Sequence, residues 1–279
     1  MKKINQPITI LQNKIIGYPL DHSQSPLLHR TIYQLLGLNA DFSTMLSLNL
    51  AHAIETIKAN ATPLTAVTLP HKEAVLSYLD ICSPEVEIIG SANTLIQHDR
   101  KLFGYNTDID GLAYAFKNIA IDKKKALIIG AGGAARAMAY FLKKNQAEIF
   151  YLNRSVDKAN QLAQIFGGTV VNQQHIHQFD LDILINTTPI GMYPKHQDTP
   201  LPNYHFQAKQ VVFDMVYHPM STKFLLEASK QQAKILSGLT MFIGQGLKQI
   251  ELWTGKSLAN PKLIDKLYRV LINHQQGNR

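Results

Sequence analysis

Between Ala126 and Lys144 the chain passes from an apolar run, Ala126 to Ile129, through Gly130-Ala131-Gly132-Gly133-Ala134-Ala135 into a helix-forming stretch. That order is strand, tight turn, helix. Gly130 permits the turn, Gly132 lets a pyrophosphate approach the backbone, and the small Ala135 lets the helix pack closely on the strand. The helix start then offers free N–H groups and a positive dipole end to phosphate. Taken alone the segment also fits an ordinary strand-to-helix turn, so its surroundings decide.

Glu148 to Leu152 is a second apolar strand beyond that helix. An NAD site places an acidic residue about 20 positions past the first glycine, where it holds the ribose 2′-hydroxyl. Here the strand ends in Asn153-Arg154-Ser155, and Lys158 follows. Two cations and no carboxylate at the strand end suit a 2′-phosphate, which predicts NADP(H). Arg154 can grip phosphate bidentately and stack on adenine. The competing reading makes Arg154 and Lys158 solvated first-turn residues, with Asp157 neutralising Lys158.

Strand-like and helix-like segments alternate on both sides of this motif, which implies an α/β protein with a mostly parallel sheet around the glycine turn. Residues 1–107 form a first α/β domain. A helix from Asp108 to Ile119 connects it to the rest, and residues 108–240 form a Rossmann-like nucleotide domain. Helices are expected over Ser25–Leu36, Leu50–Ala59 and Pro70–Leu79. A hairpin is expected around His98-Asp99-Arg100-Lys101, and helices again over Met241–Trp253 and Pro261–His274.

The chain has 279 residues and is 46% apolar, enough to bury two modest cores. One cysteine, Cys82, excludes an internal disulfide and points to a reducing compartment. Met1-Lys2-Lys3 is followed by Asn5, Gln6 and Pro7 rather than an apolar signal core, and no apolar run is long enough to cross a membrane. The expected location is the cytoplasm. The net charge of +8 comes from scattered Lys and Arg. No basic stripe for nucleic acid emerges, although a positive field helps to gather anionic ligands. The histidines show no metal-ligand spacing, and no metal is expected.

Polar residues concentrate where elements end. Gly17-Tyr18-Pro19-Leu20-Asp21-His22-Ser23-Gln24-Ser25-Pro26 leaves a strand and enters a helix. Ser23 and Ser25 read as helix caps, or as two hydroxyls for a ligand carboxylate. Thr68-Leu69-Pro70-His71-Lys72-Glu73 is a strand-to-helix turn. A lysine in a first helical turn opposes the dipole, and partial burial there lowers its pKa, which suits a general acid or base. Asp108, in Asn106-Thr107-Asp108, is a natural N-cap or the partner of Lys72. Asn93, in Ala92-Asn93-Thr94, can add a hydrogen bond.

Taken in order, Ser23-Gln24-Ser25-Pro26, Thr68-Leu69-Pro70-His71-Lys72-Glu73, Ala92-Asn93-Thr94, Asn106-Thr107-Asp108, Gly130 to Arg136, Asn153-Arg154-Ser155, Asn186-Thr187-Thr188-Pro189-Ile190-Gly191-Met192, Asp214-Met215-Val216-Tyr217 and Gly238…Met241…Gln245 resemble the shikimate dehydrogenase family. The resemblance covers nearly the whole chain. It implies an active site in the cleft between an N-terminal substrate domain, completed by C-terminal helices 241–279, and an NADP-binding domain. It implies Lys72 and Asp108 as catalytic pair. Ser23, Ser25, Thr68, Asn93, Tyr217 and Gln245 would hold the carboxylate and ring hydroxyls of shikimate.

Around the cofactor, the resemblance assigns the Gly130, Ala131, Gly132, Gly133 and Ala134 turn to the pyrophosphate. Asn153, Arg154, Ser155 and Lys158 would clamp the adenosine phosphate, and Thr187, Met215 and Gly238 would line the nicotinamide. The expected reaction is reversible reduction of 3-dehydroshikimate to shikimate with NADPH, in the route to chorismate and aromatic amino acids, by a monomer or homodimer. One departure stands out: the family usually has asparagine two residues before the motif threonine, where this chain has Ala66. The rival readings are an NAD-using quinate/shikimate dehydrogenase and a non-catalytic member that binds shikimate or nucleotide.

Overall fold

The computed structural model describes residues 10–258 and 260–277. Met1 to Pro7, on which the signal-peptide reading rests, lie outside the described residues.

The first lobe comprises β1 (Leu11–Gly17), α1 (Ser25–Leu36), β2 (Ala40–Leu46), α2 (Leu50–Ala59), β3 (Leu64–Val67), β4 (Ile81–Cys82), α3 (Pro84–Ile89), β5 (Thr94–His98) and β6 (Lys101–Tyr105). Its sheet runs β2-β1-β3-β5-β6-β4, with β5 antiparallel to both neighbours. The β5–β6 hairpin turns at Asp99 and Arg100, whose φ angles of 50° and 61° suit a tight two-residue turn. Ile15, Leu64 and Ala66 face one apolar layer; Ile16, Val67 and Leu95 face the other, under α2.

The second lobe begins with α4 (Asp108–Ala115). It continues through β7 (Lys125–Ile129), α5 (Gly133–Lys144), β8 (Glu148–Leu152), α6 (Val156–Phe166), β9 (Thr169–Val170), β10 (Ile183–Asn186), β11 (Val211–Asp214), α7 (Lys223–Lys230) and β12 (Lys234–Ser237). All pairings in its sheet are parallel, in the order β12-β11-β10-β7-β8-β9. This is the doubly wound order, which reverses between β7 and β10 and opens a ligand crevice at the strands' carboxyl ends. The central strands are apolar on both faces because helices cover both: Ala126 and Ile128 face one core, Leu127 and Ile129 the other.

Two helices follow, α8 (Gly238–Thr254) and α9 (Pro261–Gly277). They return to the first lobe. Leu239, Phe242, Ile243, Leu247 and Ile250 pack with Ile15, Leu28, Ile32 and Phe42, and Leu267 and Leu271 join them. Trp253 meets Tyr33 edge-on at 5.5 Å. The helix α8 also crosses α4 closely: a Cβ on Gly111 would stand 2.5 Å from the Met241 carbonyl oxygen.

Two expectations need correction. Pro70–Leu79 is not a helix; only Ala74–Tyr78 coils, as a 3-10 turn. The Lys72 carbonyl accepts instead from Ala92 N at 2.8 Å, a tertiary bond that pulls the chain out of helical register. The connecting helix stops at Ala115, with Phe116 as its C-cap, rather than at Ile119. Cys82 lies in the short strand β4, where burial pushes its thiol up.

Candidate active site

Lys72 leaves the segment after β3, and Asp108 is the first residue of α4. Lys72 Nζ donates to Asp108 Oδ2 at 2.6 Å, with side-chain exposures of 16% and 6%. Thr107, not Asp108, stands at the N-cap. Because Lys72 sits in no helix, its setting comes from the Asp108 carboxylate and not from a dipole. A buried, hydrogen-bonded ion pair of this kind is expensive to break from one side.

The other oxygen of Asp108 is held too. Asn93 Nδ2 donates to Asp108 Oδ1 at 2.8 Å and to Thr107 Oγ1 at 3.0 Å. Asn93 Oδ1 accepts from Thr107 N at 2.8 Å and from Thr94 Oγ1 at 2.7 Å. Asn106 Nδ2 donates to the Ser91 carbonyl at 2.9 Å and closes the loop behind the pair. The amide of Asn93 is thus spent on the protein itself, on Asp108, Thr107 and Thr94.

Opposite stands the glycine turn. Gly130 has φ +117°, and a Cβ there would strike Thr187 Oγ1. That hydroxyl donates to the Ile129 carbonyl at 2.7 Å and ties β7 to the end of β10 at the reversal point. Gly132 is exposed, and a Cβ on it would meet nothing within 4 Å. The following helix has no side-chain cap. Open space in front of uncapped N–H groups fits a phosphate. At the end of β8, Arg154, Ser155 and Lys158 are exposed, and Asn153 Nδ2 donates to the Ser155 carbonyl at 2.8 Å. Among the described residues no ion pair involves Arg154, Asp157 or Lys158. The cations remain available for a 2′-phosphate.

Comparison with known proteins agrees along most of the chain. Residues 15–95 match the model of the shikimate dehydrogenase substrate binding domain, residues 113–190 that of shikimate / quinate 5-dehydrogenase, and residues 238–259 that of the shikimate 5'-dehydrogenase C-terminal domain. A shikimate dehydrogenase (NADP(+)) of Shouchella clausii is 36% identical over 92% of this chain and 97% of its own length. The chain belongs to the shikimate dehydrogenase family.

Two solved shikimate 5-dehydrogenases share the fold. That of Thermus thermophilus, in complex with NADP(H) and shikimate, superposes with a TM-score of 0.84 at 34% identity, covering 93% of this chain and 99% of its own. That of Listeria monocytogenes, in complex with shikimate and NAD, gives 0.81 at 28% identity, covering 97% and 100%.

Several residues singled out by the shikimate dehydrogenase resemblance gather around the first lobe. Ser25 is buried and Ser23 and Thr68 are half-buried; neither serine caps α1, whose N-cap is Gln24 with no side-chain bond. Tyr217 stacks on Phe242 at 4.1 Å, near Ser23 and the Gln24 backbone. Burial pushes its phenol up to about 12. Gln245 is 9% exposed and donates to the Phe242 carbonyl at 2.9 Å. Ala66 is buried in β3, opposite Thr94. A Cβ on Gly238 would strike the Met215 carbonyl, which makes glycine obligatory beside Met215.

Sequence reasoning missed two polar groups. Asp214 is buried and accepts from Asn186 Nδ2 at 2.9 Å, Val216 N at 2.9 Å and Thr222 Oγ1 at 2.6 Å. Burial pushes its carboxyl up to about 7 against those bonds. It fastens the loops after β10 and β11. The second group is His29 with Gln249, joined at 2.9 Å in the first lobe's interior. Gln249 lies one turn beyond Gln245, and two amides on an apolar helix face were the available signal. Among the described residues no three His, Cys, Asp or Glu side chains are placed to hold a metal ion. None of their helices is long and apolar enough to cross a membrane.

Proposed function

We propose that this chain is an NADP-dependent oxidoreductase that reversibly reduces 3-dehydroshikimate to shikimate, with Lys72 and Asp108 as its catalytic pair. The observation that carries the reading is the 2.6 Å Lys72–Asp108 bond lying against the start of the phosphate-binding helix. The names of the curated relatives support the same substrate and cofactor. On this reading residues 1–107 with helices 241–279 bind substrate, and residues 108–240 bind cofactor. The reaction belongs to aromatic amino acid biosynthesis, in the cytoplasm, by a monomer or homodimer.

The cofactor's nicotinamide, when bound, supplies the hydride that turns the ring ketone into an alcohol. The chain's residues do the rest. Negative charge builds on the ketone oxygen, and Lys72 Nζ delivers the proton there. Asp108 keeps the ammonium aimed while Asn93 holds Asp108. In the oxidative direction Lys72 takes the hydroxyl proton. Ser23, Ser25, Thr68, Tyr217 and Gln245 together hold the carboxylate and ring hydroxyls. Gly130 to Ala134 seat the pyrophosphate, Asn153, Arg154, Ser155 and Lys158 the adenosine phosphate, and Thr187, Met215 and Gly238 the nicotinamide.

Lys72→Ala tests this reading, measured as NADPH formation from shikimate and NADP⁺. A folded variant should lose more than about tenfold in kcat; a smaller loss removes Lys72 from the chemistry. A second reading, an NAD-using enzyme, is favoured by the Listeria neighbour's complex. A higher kcat/KM with NADH than with NADPH would establish it.

A further inference from the structure

Behind Asp108 runs a continuous line of buried polar side chains that crosses the first lobe. Gln249 Nε2, on α8, donates to Thr94 Oγ1 at 3.0 Å and lies 3.4 Å from the Asn93 carbonyl oxygen. Gln249 Oε1 meets His29 Nε2 at 2.9 Å, and His29 Nδ1 meets the Ser25 carbonyl at 2.9 Å. His29 and Thr94 are fully buried, and Gln249 is 1% exposed. These residues come from α1, β5 and α8, with 155 positions between Thr94 and Gln249. Burying so many polar groups is costly unless they are paired. The neutral His29 ring carries one N–H; placed on Nε2 it donates to Gln249 Oε1, which turns the Gln249 NH2 to Thr94.

The direction of the bonds gives the line its consequence. Thr94 Oγ1 accepts from Gln249, so its own hydrogen is left for Asn93 Oδ1, 2.7 Å away. An Asn93 amide whose oxygen faces Thr94 and Thr107 N must turn its NH2 to Asp108 Oδ1. That donation leaves Oδ2 for Lys72. His29, stacked on Phe42 at 3.9 Å, anchors the far end of Gln249. Burial pushes the imidazole down to about 4, so at neutral pH the ring places no second cation behind Asp108 to compete with Lys72.

We propose that Gln249, anchored by His29, is a positioning residue that sets the Asn93 amide and through it the Lys72–Asp108 pair. The proposal rests on the catalytic role given above to that pair. Gln249 touches neither Lys72 nor Asp108; it acts through Thr94 and Asn93.

The test is Gln249→Met, which keeps length and burial and removes the bonds to His29, Thr94 and the Asn93 carbonyl. The expected result is a fall of at least about fivefold in kcat, with KM for shikimate and NADP⁺ changed less than about twofold. In an Asn93→Ala background the same substitution should cost less than about twofold, because the residue it acts through is gone. A wild-type kcat in Gln249→Met, or an equal loss in both backgrounds, overturns the proposal. If Gln249→Met fails to fold, Thr94→Val breaks the same link with little change of shape and is read by the same criteria. Lys72→Ala, measured alongside, separates the failures. Full activity there ends the proposed function, whereas an inactive Lys72→Ala beside a fully active Gln249→Met ends only the positioning role.

Discussion

A Cβ built on Gly133 would stand 2.9 Å from Lys72 Cβ, so the stem of the proposed proton donor lies on the first residue of α5, the helix after the glycine turn of the other lobe. Ser91 Oγ donates to the Gly133 carbonyl at 3.3 Å in the same contact, and Arg136 Nε donates to the Ile89 carbonyl at 2.5 Å one turn on. The two lobes are thus registered by direct contact. Gly133→Ala forces Lys72 or the helix start to shift. It should lower kcat by about tenfold, as small displacements of reacting groups do. Steady-state kinetics on a variant with native circular dichroism checks this. Unchanged kcat would mean that the lobes slide without disturbing Lys72.

The exposed cations after β8 make a prediction about cofactor choice. Arg154→Ala and Lys158→Ala should each raise KM for NADPH several-fold and leave KM for NADH within about twofold, because only NADPH carries the 2′-phosphate. The effect should shrink as salt rises, since these groups are solvent-exposed. Parallel titrations with both cofactors at low and high salt measure it. Equal losses with both cofactors would place these residues elsewhere on the nucleotide.

His29 makes a prediction about stability and pH. Its folded-state pKa of about 4 lies below the ordinary 6.5. Below pH 6.5 the unfolded chain therefore binds a proton that the folded chain refuses. Stability falls as pH drops from about 6.5 towards about 4, by on the order of 3 kcal/mol through this one group. About 2 kcal/mol of that loss falls between about pH 7 and about pH 5. Denaturant midpoints at those two pH values, for wild type and His29→Leu, isolate it: the variant should show the shallower dependence.

Much of the fold was legible because local chemistry was enough. The run from Ala126 to Ile129, the glycines and the helix behind them appear where periodicity and turn chemistry put them. So does Glu148–Leu152. The helix α3 went unread although Ser83 caps it, Pro84 opens it and Gly90 closes it. Six residues are too few to show a helical period. The expected helix over Pro70–Leu79 failed for the opposite reason. Its residues permit a helix, but Ala92 claims the Lys72 carbonyl and decides the path. In the candidate site, Lys72, Asp108 and Asn93 sit in motif segments and could be singled out. The paired amides of Gln245 and Gln249 on an apolar helix face were a local signal, but nothing near His29 or Gln249 names the polar partner far along the chain.

The sequence by itself determined the strand–glycine–helix unit, the two cations after β8, the absence of an internal disulfide and the family. Each of these depends on neighbouring residues or on residue identity alone. Only the tertiary structure decided that Asn93 serves Asp108, that α8 returns to the first lobe with Gln249 inside it, and that Gly133 receives the stem of Lys72. Those relations join segments far apart in the chain. A hydrogen bond or a close contact across such a distance is chosen by how whole helices and sheets pack, which no local pattern records.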